Sequence, residues 1–275
     1  MSVPSLPMND GRSIPQIGFG VWQVPDSIVT DATLCAFENG YRHVDTASIY
    51  ENERGVGEAI ARSGLDREDL FITTKVWNRD HGYDKTLANF EVSLDLLGID
   101  EVDLYLVHWP AAMYDLYADT WRALVELHRQ GRARSIGVSN FKAPHLRRVI
   151  DETGIVPVVN QIELHPWLPQ TELRALHAEL GILTEAWSPL ASGELLDDPV
   201  IGAIGSKHDR SPAQVMIRWH LQIGNVVLPK SITPTRIKEN IDVFSFELDD
   251  EDLAAIASLE SGRRTGPDPD YFDEL

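Results

Sequence analysis

The chain has 275 residues, with 24 Lys plus Arg against 43 Asp plus Glu, and a formal net charge of −19. Its length suits one closed barrel, and a composition of 43% hydrophobic and 24% charged residues is that of an ordinary folded domain rather than a disordered chain. The acidity excludes a broad basic face for nucleic acid or anionic lipid, so neither is an expected partner, and it raises the question of how an anionic cofactor would be held.

In chain order, the N-terminal segment shows no basic and apolar signal sequence, and Asn9-Asp10-Gly11 is a turn signal that predicts a short β-hairpin within residues 1–16. Short apolar runs then recur at residues 17–20, 41–45, 70–76, 102–108, 135–139, 156–161, 182–187 and 226–228. Amphipathic stretches lie between them, at 53–63, 86–97, 120–129, 170–180 and 212–223. In the second of these, Leu87, Phe90, Leu94 and Leu97 fall at helical spacing. Pro144 and Pro212 suit first helical turns, with Ser211 as an N-cap. About eight βα units predict an α/β fold, a (β/α)8 TIM barrel, as a single domain over residues 1–275. One or two helices are extra, one of them at 249–259, and the Pro/Asp-rich tail at 261–275 is irregular. A doubly wound sheet is the rival, but Gly18-Phe19-Gly20 and Gly55-Val56-Gly57 both lack the third glycine of its phosphate turn. Cys35 is the only cysteine, which removes internal disulfides and suits a reducing cytoplasm. No apolar run approaches the ~18 residues of a membrane span.

Barrel enzymes place their chemistry at the C-terminal ends of strands. The second, third and fourth predicted strands end on Asp45, Lys75 and His108, and Tyr50 follows Asp45 closely. Singly, these read as a helix cap, a surface charge, a core imidazole and a core phenol. Together, at matching positions on neighbouring strands, they read as a site. An ammonium favours phenolate and should lower the tyrosine pKa, Asp45 could keep Lys75 charged, and His108 could orient a substrate oxygen. A proton donor at a carbonyl is half of a reduction, and the hydride has to come from a nicotinamide cofactor. A metal-hydrolase reading, with His43, Asp45, His108 and His165 as ligands, is the alternative; neither a His-x-His pair nor H-E-x-x-H supports it.

Long motifs in one order then resemble the aldo-keto reductases. They are Gly40-Tyr41-Arg42-His43-Val44-Asp45-Thr46-Ala47 with Tyr50-Glu51-Asn52-Glu53, then Leu104-Tyr105-Leu106-Val107-His108-Trp109-Pro110. Gly137-Val138-Ser139-Asn140-Phe141, Val159-Asn160-Gln161-Ile162-Glu163-Leu164-His165-Pro166 and Pro229-Lys230-Ser231 with Arg236-Ile237 and Glu239-Asn240 complete the set. Within the family the chain looks most like the bacterial 2,5-diketo-D-gluconate reductases.

The resemblance implies NADPH as cofactor and Asp45, Tyr50, Lys75 and His108 as a catalytic tetrad with Tyr50 as general acid. It implies that Ser139, Asn140 and Gln161 hold the nicotinamide carboxamide and that Trp187 stacks on the ring. Ser188, Leu190 and Gly193 would line the pyrophosphate path; the family often has Gly where Ala191 stands. Lys230, Ser231 and Arg236 have the chemistry to hold a 2′-phosphate, and Glu239 and Asn240 would hold the adenine. Trp22, Trp77 and Trp109 follow the first, third and fourth strands and would wall an apolar substrate pocket, whereas Trp121 and Trp219 fall in helices and read as packing. The short tail lies near the substrate site, where Tyr271 and Phe272 could reach it. The expected activity is reduction of aldehydes, ketones or dicarbonyls, diketo sugar acids among them, by a cytoplasmic monomer with no metal. A redox-reporting module that binds NADPH without turnover is the competing function.

Overall fold

Two three-residue strands, β1 (Ser5–Pro7) and β2 (Ser13–Pro15), pair antiparallel across the Asn9-Asp10-Gly11 turn. The computed structural model describes residues 3–275, so the first two residues of the expected N-terminal segment lie outside the described residues. The hairpin carries Met8 and Ile14 against Leu104, Leu106, Val158, Val159 and Val226, plugging one end of the structure that follows.

Eight parallel strands come next: β3 (Phe19–Gly20), β4 (His43–Asp45), β5 (Phe71–Val76), β6 (Val102–Val107), β7 (Ala133–Ser139), β8 (Val159–Glu163), β9 (Leu183–Trp187) and β10 (Val226–Val227). They are ordered in space as in sequence. A parallel bridge between Ile17 and Val227, with Gly18 N donating to Val227 O at 2.9 Å, joins the two ends and closes the ring. The closure needs a glycine: a Cβ on Gly18 would lie 2.6 Å from both His43 Nδ1 and Leu228 Cδ2.

Helices α1 (Asp26–Glu38), α2 (Glu53–Arg62), α3 (Tyr83–Leu97), α4 (Tyr117–Arg129), α5 (Ala143–Thr153) and α6 (Thr171–Leu180) follow β3 to β8 in turn. Both α7 (Pro199–His208) and α8 (Pro212–Gln222) follow β9, α9 (Pro234–Ile241) follows β10, and α10 (Asp250–Ala257) comes last. The expected barrel is therefore present, with α7 and α10 as its two extra helices. Ser211 caps α8 in a reciprocal box with Gln214, and Pro212 occupies the first turn. Trp121 and Trp219 are buried in the packing between helices and barrel.

Seven of the eight strands depart from their expected ranges by one or two residues at one end, and β8 departs most. The apolar run 156–161 suggests an earlier start, but β8 spans Val159–Glu163. Pro157 has no N–H to give to a ladder, so pairing is established beyond it. The shift brings Glu163 into the strand.

Four buried histidines tie stability to pH. Burial pushes His43 and His220 down to about 3, and His81 and His177 down to about 4. Between those values and ~6.5 the unfolded chain binds more protons than the folded one, so their stabilising effect is complete above ~6.5 and is lost as pH falls. Glu185 acts in the opposite sense, because burial and Asp45 push it up to about 8; the folded form then binds the extra proton between ~4.5 and 8. Glu53 and Asp103, raised by burial, act with Glu185, while His108 and His145, lowered by burial, act with the four, and the imidazoles prevail. Urea denaturation is expected to show stability falling by at least about 3 kcal/mol from pH 7 to pH 5. A flat profile over that interval would mean that these imidazoles are not buried as neutral groups.

Candidate active site

Strand alternation turns Asp45 of β4 and Lys75 of β5 into the barrel, and the hairpin blocks the opposite end. Lys75 is fully buried. Its ammonium donates to Asp45 Oδ1 at 2.6 Å, to the Thr46 carbonyl at 2.9 Å and to the Tyr50 hydroxyl at 3.5 Å. Burial alone would push Lys75 down, but Asp45 and Tyr50 outweigh it and its pKa is raised, so it stays an ammonium.

For Tyr50 the balance corrects the expectation from sequence. Burial pushes the phenol up and outweighs the downward pull of Lys75, so the net shift is upward. Tyr50 therefore holds its proton at neutral pH. Its ring meets His108 edge-on, with centroids 5.6 Å apart. Burial, helped by the charge of Lys75 and by His81, lowers the His108 pKa well below its ordinary value, so the imidazole is neutral. Its Nδ1 is buried without a partner among the described residues. The three residues predicted at strand ends, with Tyr50 after the first, thus converge into a neutral phenol and a neutral imidazole over a buried ion pair.

A row of polar side chains crosses the next strands. Register places Ser139 beside Gln161 and Gln161 beside Glu185. Gln161 Nε2 donates to Asp45 Oδ2 and to Glu185 Oε2, both at 2.8 Å. The Glu185 Oε1–His43 Nε2 distance is 3.9 Å, but with His43 near 3 and Glu185 near 8 both groups are neutral, and this is no ion pair. Ser139 Oγ donates to the Gln161 carbonyl at 2.8 Å. Asn140, in the left-handed region at φ 63°, is committed within the chain. Its Nδ2 reaches the His108 carbonyl and Ser139 Oγ, and its Oδ1 accepts from Trp187 Nε1 at 2.8 Å.

The loop after β9 winds through left-handed conformations at Ser188, Ala191, Ser192 and Gly193. Glycine accepts these freely; Ala191 does so at a cost of about 1 kcal/mol. Leu190 is half-buried beside them. Beyond β10, Lys230 and Arg236 are exposed, and neither forms an ion pair among the described residues. Ser231 lies next to Lys230, and one turn of α9 beyond Arg236 stand exposed Glu239 and buried Asn240. These two cations without an ion pair, one after β10 and one in α9, are compatible with a local positive potential on an acidic chain.

The predicted aromatic wall forms in part. Trp77 and Trp109 are buried, and Trp77 lies 5.1 Å from His108. Trp109 lies 6.3 Å from Trp187. Trp22 stands apart, 51% exposed. The tail supplies the missing piece: Phe272 packs on Trp109 at 4.3 Å and on Trp77 at 6.0 Å, whereas Tyr271 is 85% exposed. Asn78 Nδ2 donates to the Glu274 carbonyl at 2.7 Å, and Lys142 pairs with Asp268 and Asp270, both at 2.6 Å.

Sequence reasoning assigned no separate role to the group that anchors this strap. Glu163, fully buried, accepts from Thr265 N at 2.5 Å, Gly266 N at 3.2 Å and His165 Nε2 at 3.0 Å. Gly266 rests against the Trp187 ring so closely that a Cβ would overlap it. Three of the four candidate metal ligands are committed elsewhere: His165 to Glu163, His43 to Thr73, and Asp45 to Lys75 and Gln161. A polar cleft of about 470 Å³ lies at the opposite end, between Arg12, Glu101, His128 and Arg134. Its Arg134 and Glu101 pair with each other, and none of these residues belongs to the predicted site.

Comparison with known proteins gives the family and the fold. An aldo-keto reductase of Mycolicibacterium smegmatis is 58% identical over 270 residues, covering 98% of both chains. The methylglyoxal reductase DkgA of Escherichia coli (strain K12) is 49% identical, over 97% of both chains. A mutant of the protein Gox0644, solved in complex with NADPH, superposes with a TM-score of 0.95 at 48% identity and covers 99% of each chain. The sequence model of the Aldo/keto reductase family matches residues 16–261, so the chain belongs to that family.

Proposed function

We propose that the chain reduces small aldehydes, ketones and dicarbonyls to alcohols with NADPH, Tyr50 giving the proton. The observation that carries this reading is the protonated phenol of Tyr50 hydrogen-bonded to the Lys75–Asp45 pair, beside a neutral His108 and below Trp77 and Trp109. The donor set fits the cofactor: free cations at Lys230 and Arg236 suit a 2′-phosphate, the winding backbone at 188–193 suits a pyrophosphate, Gln161 lies against Asp45, and Trp187 lies against Trp109 and Asn140. Ser231, Glu239 and Asn240 would complete the adenine end, and Ser139 and Asn140 would frame the carboxamide. When bound, NADPH supplies the hydride. The chain's own residues do the rest. His108 donates a hydrogen bond that fixes the carbonyl oxygen near the Tyr50 hydroxyl. Tyr50 releases its proton to that oxygen as negative charge develops there, and Lys75 stabilises the phenolate left behind. Trp77, Trp109 and Phe272 exclude water from the reacting carbonyl.

The relative named as a methylglyoxal reductase supports a small dicarbonyl as substrate, and diketo sugar acids are the larger candidates. We read the enzyme as a cytoplasmic monomer; among the described residues no helix is long and apolar enough to cross a membrane. Loss of NADPH absorbance with methylglyoxal, phenylglyoxal and a diketo sugar acid tests the activity, and tight NADPH binding without turnover of any carbonyl would overturn it. Lys230→Ala and Arg236→Ala are each expected to raise the NADPH KM by about 10-fold or more, since a charge-assisted contact contributes ~1.5–3 kcal/mol, and to change the NADH KM by less than about twofold. Equal effects on both cofactors would remove these residues from the phosphate site.

A further inference from the structure

Glu185 is fully buried in the middle of β9, and the reduction as described uses it for nothing. A primary amide has two N–H donors. Gln161 spends both, one on Asp45 Oδ2 and one on Glu185 Oε2, at 2.8 Å each. Its Oε1 accepts from no described residue and is absent from the buried polar atoms left unpaired, so it is the one polar atom of that side chain a ligand can reach. Turning the amide over would set its oxygen against the Asp45 carboxylate, 2.8 Å away, where two acceptors would face each other. We propose that Glu185 is a positioning residue: with Asp45 it clamps the Gln161 amide nitrogen, so that the chain presents an acceptor, and no donor, to the carboxamide N–H of the nicotinamide cofactor. This rests on the NADPH reading above. Glu185 needs no charge for the task, because the carbonyl oxygen of a neutral carboxyl group also accepts.

The inference is tested by calorimetric binding of NADP+ and of its 3-acetylpyridine analogue, in which a methyl ketone replaces the carboxamide and offers no N–H. Glu185→Met removes the acceptor at similar volume. It is expected to weaken NADP+ by about 10-fold and the analogue by less than about threefold. Glu185→Gln, whose carbonyl still accepts, should stay within about threefold of wild type on both ligands. Equal losses on the two ligands, or no loss on NADP+, would overturn the clamp while leaving the cofactor assignment standing. A wild-type protein that binds neither ligand would overturn both. A second measurement needs no variant to fold. In the wild-type chain labelled with 15N-glutamine, the Gln161 side-chain amide protons should exchange with D2O at least ~100-fold more slowly than those of exposed glutamines. Fast exchange would overturn the clamp.

Discussion

Tyr50→Phe is expected to lower kcat for methylglyoxal reduction by about 10²–10⁴-fold, the range for loss of a positioned general acid, and to change NADP+ affinity by less than about threefold. The substitution removes one oxygen and little else. The ring keeps its edge contact with His108 at 5.6 Å and its place under the Lys75 ammonium at 5.1 Å. What goes is the hydroxyl that lies 3.5 Å from Lys75 Nζ. Burial raises the phenol pKa despite the ammonium, and a weak acid is what the reaction needs. The proton must stay in place until charge builds on the carbonyl oxygen, and a developing alkoxide is a far stronger base than a phenolate. His108 is the rival donor. Burial and the charge of Lys75 hold it neutral, and a neutral imidazole N–H is a weaker acid than a phenol. If His108 supplied the proton, Tyr50→Phe would keep most of its turnover and His108→Gln would lose it. Steady-state rates of the two variants, with calorimetry for NADP+, decide between them.

Asp45, Lys75 and His108 are legible at strand ends because the period of a βα chain is local. Apolar runs mark where strands stop, and an ionisable residue at such a stop shows in sequence. Glu185 escaped the same reading because it lies mid-strand between Thr184 and Ala186, and its partners Gln161 and Asp45 come from distant segments. An ionisable residue in the middle of a strand, with Ala186 and Trp187 after it, was the available signal. The tail escaped for a different reason. Residues 261–275 hold no regular element, and their path is set by Glu163, Lys142, Trp109 and Trp187, contacts more than 75 positions away in the chain that no local pattern encodes. Helix α1 was not read because its buried stripe is built from Val29, Ala32, Ala36 and Phe37, where small residues blunt the hydrophobic contrast, and α7 was hidden by Gly202 and Gly205.

Lys75→Met is expected to destabilise the fold by about 3–5 kcal/mol, the usual cost of breaking a buried ion pair from one side. The lysine is fully buried and Asp45 is 4% exposed, so the carboxylate would be left largely desolvated without its ammonium. One N–H from Gln161 would remain to it. Adding Asp45→Asn removes the stranded charge and keeps an oxygen for that N–H. The double variant should therefore recover most of the lost stability, short of the Thr46 carbonyl, which loses its donor in both. Turnover should not follow stability. The phenolate formed at Tyr50 would have no cation beside it in either variant, and kcat should stay at least about 10²-fold below wild type in both. Chemical denaturation and steady-state kinetics on the same preparations separate the two effects. A double variant as unstable as the single one would mean that the damage is lost packing rather than an unpaired charge. One that regained turnover would remove Lys75 from the proton's path and leave the ion pair as scaffolding.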